Sequence, residues 1–136
     1  MKKTIFLLLT IASVLACTDN NDYNNFTYSD LPIDSYTVPD SLTLNEQDTI
    51  AVTYTLPNTC YSFSRIFLEE QQQDTSIIVA VRAFVDLDDE CTEQLITEEY
   101  KFLVTATQQE DYLFKFFKGQ TDDGENIFEE VTIPVN

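Results

Sequence analysis

The residues most able to do chemistry in this chain are its thiols and carboxylates, because its 136 residues include three cysteines, 24 acidic residues and no histidine. Without histidine, Ser-His and Cys-His catalytic pairs and histidine-based metal sites are excluded. A zinc site would require more thiols than three dispersed cysteines provide. The sequence also lacks a phosphate-binding Gly-rich loop and a Ser-x-x-Lys spacing. We therefore expect a protein that is not an enzyme.

Carboxylates and both glycines of the chain meet in the segment KGQTDDGEN. Gly119 and Gly124 bracket Asp122 and Asp123, and this pattern predicts a hairpin loop, since glycine adopts positive φ at low steric cost. The oxygen atoms of such a loop would suit calcium, but the spacing does not match that of an EF-hand. The segment is a candidate binding loop. We expect no cofactor, and calcium held by irregular loops remains the alternative.

The first 16 residues have the pattern of a signal peptide. Lys2 and Lys3 form a positive amino-terminal region, and an apolar stretch runs from Thr4 to Ala16. That stretch is shorter than the ~20 residues that a bilayer-spanning helix needs. We expect residues 1–16 to direct export and to be removed.

The end of this segment resembles the lipobox of bacterial lipoproteins. An aliphatic residue, Val14, and a small residue, Ala16, precede Cys17 as in that motif, whereas Leu15 is larger than the residue usually found there. The resemblance covers residues 1–22 and implies that Cys17 carries a diacylglycerol thioether. It also implies a lipid-anchored protein of the bacterial cell envelope, on the outer membrane and facing either the periplasm or the cell surface. Anchoring would be firm, because each buried methylene contributes about 0.8 kcal/mol and the lipidated terminus carries two or three acyl chains.

Lipidation of Cys17 would leave Cys60 and Cys91 as an even pair outside the cytoplasm. Such a pair can oxidise to a disulfide, and closing a loop of about thirty residues would stabilise the fold by roughly 3 to 4 kcal/mol in the chain-entropy model. Between the anchor and the domain, residues 17–30 begin with a run rich in Asp and Asn, residue types that favour turns. We expect this segment to be a flexible tether and residues 31–136 to form one domain.

The charge balance limits the classes of partner. Removing residues 1–16 leaves five basic and 24 acidic side chains, a net charge of −19. Phosphate binding needs clustered Lys and Arg, so we expect no nucleic-acid partner. The acidic excess also disfavours docking on anionic lipid headgroups, and it makes the surface soluble.

Beyond the tether, apolar residues alternate with a period of two, which predicts strands. In TIAVTYTL, for example, Ile50, Val52, Tyr54 and Leu56 share one face. The β-branched residues of TSIIVAVRAFVD share another, with Ile78, Arg82 and Phe84 opposite, which favours a strand in the middle of a sheet. About seven such segments and no amphipathic helix predict an all-β fold, an antiparallel β-sandwich of immunoglobulin-like shape. The alternative is a small β-barrel.

These features favour a non-catalytic, membrane-anchored lipoprotein whose β-sandwich ectodomain binds another envelope protein or serves as an accessory module. The alternative is a ligand- or glycan-binding module of the cell surface. In that case the candidate stacking rings are those of Tyr61, Phe63, Tyr112 and Phe117.

Overall fold

A computed structural model describes residues 25–88 and 90–136. The predicted signal peptide, Cys17 and the first part of the predicted tether lie outside these described residues. Within them the chain forms eight strands and no helix: β1 (Phe26–Leu31), β2 (Ile33–Thr37), β3 (Gln47–Leu56), β4 (Tyr61–Glu70), β5 (Ser76–Asp86), β6 (Ile96–Thr105), β7 (Tyr112–Gln120) and β8 (Asn126–Ile133).

The strands form two sheets, so the predicted all-β sandwich is confirmed and the alternative of a small closed barrel is wrong. One sheet has five strands and the other has the order β2-β3-β6. In the five-stranded sheet β4 covers one edge of β5, while β1 and β7 share the other edge and β8 follows β7. The β5–β7 pair is parallel, so the prediction of a purely antiparallel sandwich is corrected at this pair. The parallel pair arises because the chain crosses from β5 to β6 in the opposite sheet and then returns to the five-stranded sheet as β7, running in the same direction as β5.

The chain changes sheets at Pro32, between β1 and β2. Proline lacks the amide hydrogen that a continuous ladder would use, so the strand is interrupted there. Pairing of β1 with β5 begins at Phe26 opposite Asp86. The predicted tether through residue 30 is therefore wrong for residues 26–30, which belong to the sheet, and the domain starts before residue 31.

The core lies between the sheets and follows the predicted alternation. Ile50, Val52, Tyr54 and Leu56 of β3 are all buried, as are Tyr112, Phe114 and Phe116 of β7. Phe116 stacks on Tyr36 of the three-stranded sheet, with 3.9 Å between ring centroids and 8° between ring planes. This contact ties the two layers together.

The predicted disulfide is confirmed between Cys60, just before β4, and Cys91, in the connection after β5, with 5.3 Å between the Cα atoms. Two hydrogen bonds between neighbouring residues support it, one from the Thr59 amide to the Thr92 carbonyl and one from the Thr92 amide to the Thr59 hydroxyl. The bridge therefore fastens the crossover from β5 to β6 to the edge of the five-stranded sheet.

Candidate functional site

The outer face of the five-stranded sheet is built around β5. Residues of odd number in β5 point into the core, so Ala80, Arg82 and Phe84 point to the outside. Direct cross-strand partners share a face of the sheet, so Tyr28 and Asp30 of β1 lie beside Phe84 and Arg82 on that side. Phe67 of β4 lies opposite Ala80 in the same way. We call this outer surface the aromatic face.

Three rings cluster at one end of the aromatic face. Phe26 stacks on Phe84 with 5.0 Å between centroids, and Tyr28 meets both rings edge-on at 5.8 and 6.1 Å. The side chain of Tyr28 is 54% exposed and that of Phe26 is 40% exposed. Isolated exposed apolar residues are common, but a contiguous cluster of exposed rings is typical of an interaction surface.

An ion pair lies next to this cluster. Arg82 donates from Nε and Nη2 to the two carboxylate oxygens of Asp30, at 2.8 and 2.9 Å. The hydrogen bond to Asp30 raises the pKa of the guanidinium above its ordinary value and outweighs its partial burial. The guanidinium also lies 4.4 Å from the centroid of the Phe67 ring, within cation–π range. The two hydrogen bonds to Asp30 and the contact with the Phe67 ring hold the Arg82 guanidinium in one position, where the ion pair remains partly exposed at the surface.

A groove of about 500 Å³ continues from the ion pair toward the β7–β8 hairpin. Its walls include Tyr28, Phe67, Phe117 and Phe128. Its polar lining includes Asp30 and Arg82 on one side and Glu69, Gln120 and Asn126 elsewhere. The Gln120 amide donates to the side-chain oxygen of Asn126 at 2.9 Å. The aromatic face thus combines rings with fixed donors and acceptors.

The predicted binding loop lies at the hairpin between β7 and β8, and the prediction of a hairpin there is confirmed. Gly119 (φ 111°) sits in β7 at a register shift, and Gly124 (φ 82°) lies in the turn. Asp122 and Asp123 are exposed at its tip. The Thr121 amide donates to the Glu125 carbonyl, and the Gly124 amide to the Thr121 carbonyl, at 2.8 and 2.9 Å. The turn is therefore closed by its own backbone, and only its ends, Gln120 and Asn126, reach the groove.

Of the four predicted stacking rings, only Phe117 lines the groove, and it is buried. Tyr112 is buried, and Phe63 is stacked between Tyr54 and Tyr100 at 5.7 and 4.5 Å. Tyr61 is half-buried. The prediction that Tyr112 and Phe117 are exposed stacking rings is therefore wrong, since both are buried. The exposed rings are those of Phe26 and Tyr28 instead, which pack on the half-buried ring of Phe84, and the alternation in FTYSD was the signal for the first two.

Within residues 25–88 and 90–136, no group of three or more Asp, Glu, His or Cys side chains is arranged to hold a metal ion. The same part of the chain contains no helix of the length and apolarity that a bilayer crossing requires.

The fold and the aromatic face define an all-β sandwich domain with a mixed aromatic and polar outer surface. Residues 50–127, from β3 to the start of β8, match the family model of the ORF11 beta-sandwich domain. The match spans more than half of the 136 residues, so the chain belongs to this family. No curated protein and no solved structure matches the chain. The aromatic face draws Tyr28 and Asp30 from β1, which precedes the matched segment.

Proposed function

We propose that this protein is a non-catalytic lipoprotein, anchored through lipid on Cys17 to the membrane of the bacterial cell envelope, whose sandwich domain binds a partner through the aromatic face. The apolar stretch before Cys17 supports the anchor. The Cys60–Cys91 bond supports export, since structural disulfides are typical of proteins outside the cytoplasm.

The observation that carries the binding role is the ring cluster in which the exposed Phe26 and Tyr28 pack on the half-buried Phe84. A sheet face that only meets water is ordinarily polar. Rings at such positions add little to a core that is already filled by the inner faces, whereas aromatic side chains dominate the energetics of binding surfaces. A protein of the envelope, or of a complex in which this chain is an accessory, fits such a surface.

The position of β1 relative to the anchor supports the same role. Phe26 lies nine positions after Cys17, so a fully extended chain spans about 30 Å between them. A lipid on Cys17 would therefore keep the start of the aromatic face close to the membrane. The partner should then be a component that reaches the membrane surface.

The anchor is tested by the substitution Cys17→Ser. We expect the wild-type protein to sediment with membranes and to show a diacylglyceryl adduct on its amino-terminal residue by intact-mass spectrometry. The Cys17→Ser chain should move to the soluble fraction. The matched control is Cys60→Ser with Cys91→Ser, which removes the other two thiols and should leave membrane partitioning unchanged. An unmodified Cys17 thiol in the wild-type protein would contradict the anchor.

The binding face is tested by placing a photo-crosslinking amino acid at one outer-face position of each sheet in the full chain in intact cells. At Tyr28 we expect a discrete crosslinked product. At Thr53, on the outer face of the three-stranded sheet, we expect none. Equal products at both positions, or none at Tyr28, would argue against a partner on the aromatic face.

Glycan binding is the second candidate function, and the groove beside the ring cluster favours it. Small-ligand sites commonly occupy about 300–1,000 Å³ and combine apolar walls with a few placed polar groups. The groove has this volume and this composition.

A further inference from the structure

We infer that the groove of the aromatic face binds a neutral, hydroxyl-rich ligand, a glycan, with Tyr28 and Phe67 as the ring contacts and the Asp30–Arg82 pair as the polar contact. The inference deepens the second candidate function, glycan binding, and rests on the proposed function only for the location of the protein at the cell envelope. Binding itself does not depend on the lipid.

The shape of the groove follows from side-chain size along β5. Ala80 points outward between the larger side chains of Ile78 and Arg82, so the sheet surface is lowest there. Phe67 stands opposite Ala80 on β4, and Phe117 and Phe128 stand on the other side. The result is a depression with ring walls rather than a flat sheet.

The polar groups can both donate and accept. Asp30 accepts two of the guanidinium N–H groups of Arg82, and the guanidinium carries further N–H groups. The contact between Gln120 and Asn126 uses one amide group of each, which leaves the Gln120 carbonyl oxygen to accept and the Asn126 amino group to donate. Hydroxyl groups, which donate and accept at once, match such a mixed set.

The charge of the site selects for a neutral ligand. The protein carries 24 acidic against seven basic side chains, so polyanions are repelled over the whole surface. The groove is also lined by Glu69, but a cation bound there would lie close to Arg82, whose charge is held in place by Asp30. A ligand with hydroxyl rims and an apolar ring face avoids both costs. It can lay its apolar face on the exposed ring of Tyr28 and direct its hydroxyls to the ion pair and the amides.

The test is affinity electrophoresis of the purified full-length protein in detergent through gels that contain amylose, xylan, mannan, galactan or, as an anionic polymer, polygalacturonate. We expect at least one neutral polysaccharide to retard the protein and polygalacturonate to leave it unretarded. Calorimetric titration with oligosaccharides of the retarding polymer then gives the affinity. Tyr28→Ala and Arg82→Leu should each weaken it at least tenfold.

The matched control is Tyr100→Ala, the same substitution as Tyr28→Ala. Tyr100 is 40% exposed and lies on β6, away from the groove. Tyr100→Ala should bind the oligosaccharide with the affinity of the wild-type protein. Circular dichroism should show that all variants are folded. The inference is overturned if no neutral polysaccharide retards the protein, if Tyr28→Ala binds as tightly as the wild type, or if a polyanion or a basic peptide binds the groove more tightly. Cys17→Ser should bind the same oligosaccharide, so failure of the anchor and failure of the glycan site give different results.

Discussion

The outer faces of the two sheets differ in composition although both sheets bury the same kind of core. On the three-stranded sheet, Thr53 pairs with Glu99 and Ala51 with Lys101, and the hydroxyls of Thr55 and Thr97 lie 3.0 Å apart. Threonine and short or charged side chains are what a strand facing water ordinarily carries. On the five-stranded sheet the equivalent positions hold Tyr28, Phe84 and the Asp30–Arg82 pair. Apart from the exposed Leu103, the first face has the composition of a strand surface that meets water, and the second face does not.

This difference indicates where selection for binding can act in a two-layer sandwich. Inner positions are fixed by packing, because interiors are close-packed and respond to the loss of single methylenes. Outer positions contribute little to that core, so rings placed there indicate a further requirement. The two outer faces and the core between them should therefore differ in their contributions to stability as they do in composition.

The largest effect is expected for the core that both sheets share. Phe116 is fully buried and stacks on Tyr36 across the layers. Phe116→Ala should lower the free energy of unfolding by about 3–5 kcal/mol, because it removes a buried ring and leaves a cavity. Phe84→Ala, the same substitution on the aromatic face, should cost about 1 kcal/mol. Urea unfolding measures both, and equal losses would show that the aromatic face is part of the core.

Removing the disulfide should have the next largest effect. Cys60→Ala with Cys91→Ala frees the crossover that leads from the five-stranded to the three-stranded sheet. The expected loss is about 3–4 kcal/mol, because the unfolded chain regains the entropy that the closed loop removes. Unfolding of the oxidised and reduced wild-type protein provides the comparison. A variant that unfolds at the same urea midpoint as the oxidised wild type would contradict the expectation.

A smaller effect is expected where the three-stranded sheet sends a polar group toward the core. The Tyr54 hydroxyl donates to Glu98 at 2.7 Å, and Tyr54→Phe should cost about 0.5–1.5 kcal/mol at neutral pH. Burial, and secondarily the bond to Glu98, raises the pKa of Tyr54 above its ordinary value of 10.0. The folded state therefore holds this proton more tightly than the unfolded state. The contribution is complete below pH 10 and declines as the pH rises beyond it.

Unfolding measured between pH 8 and about pH 11 tests this, since an ordinary tyrosine titrates near 10. Wild-type stability should fall more steeply above pH 10 than that of Tyr54→Phe. Glu98→Gln keeps an acceptor but removes the charge, so it should reduce the slope by less. If Tyr54→Phe and the wild type show the same slope, the raised pKa of Tyr54 does not contribute to alkaline unfolding.

The fold was predictable from sequence where the signal was local. The alternation from Ile50 to Leu56 identified β3 and its buried face without any tertiary information. The disulfide was predictable by counting, because lipid on Cys17 would leave only Cys60 and Cys91 to pair. β1 was missed because its six residues follow a run rich in Asp and Asn, and its pairing with β5 joins segments distant in the chain. The local sequence of a short strand that follows a polar segment does not indicate which strand it pairs with.

The candidate site was predictable only in part for the same reason. Alternation correctly placed Arg82 and Phe84 together on the face of β5 opposite its β-branched residues, without indicating that this face points outward. Asp30 lies 52 residues away from Arg82 in sequence, so the ion pair depends on a register that periodicity does not specify. Phe117 and Tyr112 were candidate platforms because aromatic residues at alternate positions fit either a core or a surface, and the structure buries both.

The smallest expected effect is the difference in coupling energy between one ion pair on each outer face, which double-mutant cycles measure. Asp30–Arg82 is bidentate, with side chains 35% and 24% exposed, whereas Lys101 Nζ lies 3.5 Å from Glu99 on side chains more than half exposed. We expect a coupling of about 0.5–1 kcal/mol for Asp30→Ala with Arg82→Ala, near the upper end for partly exposed pairs, and about 0.2 kcal/mol or less for Glu99→Ala with Lys101→Ala. The first coupling should persist at high salt better than the second, since fixed geometry and partial burial reduce screening. Equal couplings would mean that Arg82 is not held in place, and the aromatic face would then lose the preorganised polar contact that distinguishes it from its counterpart.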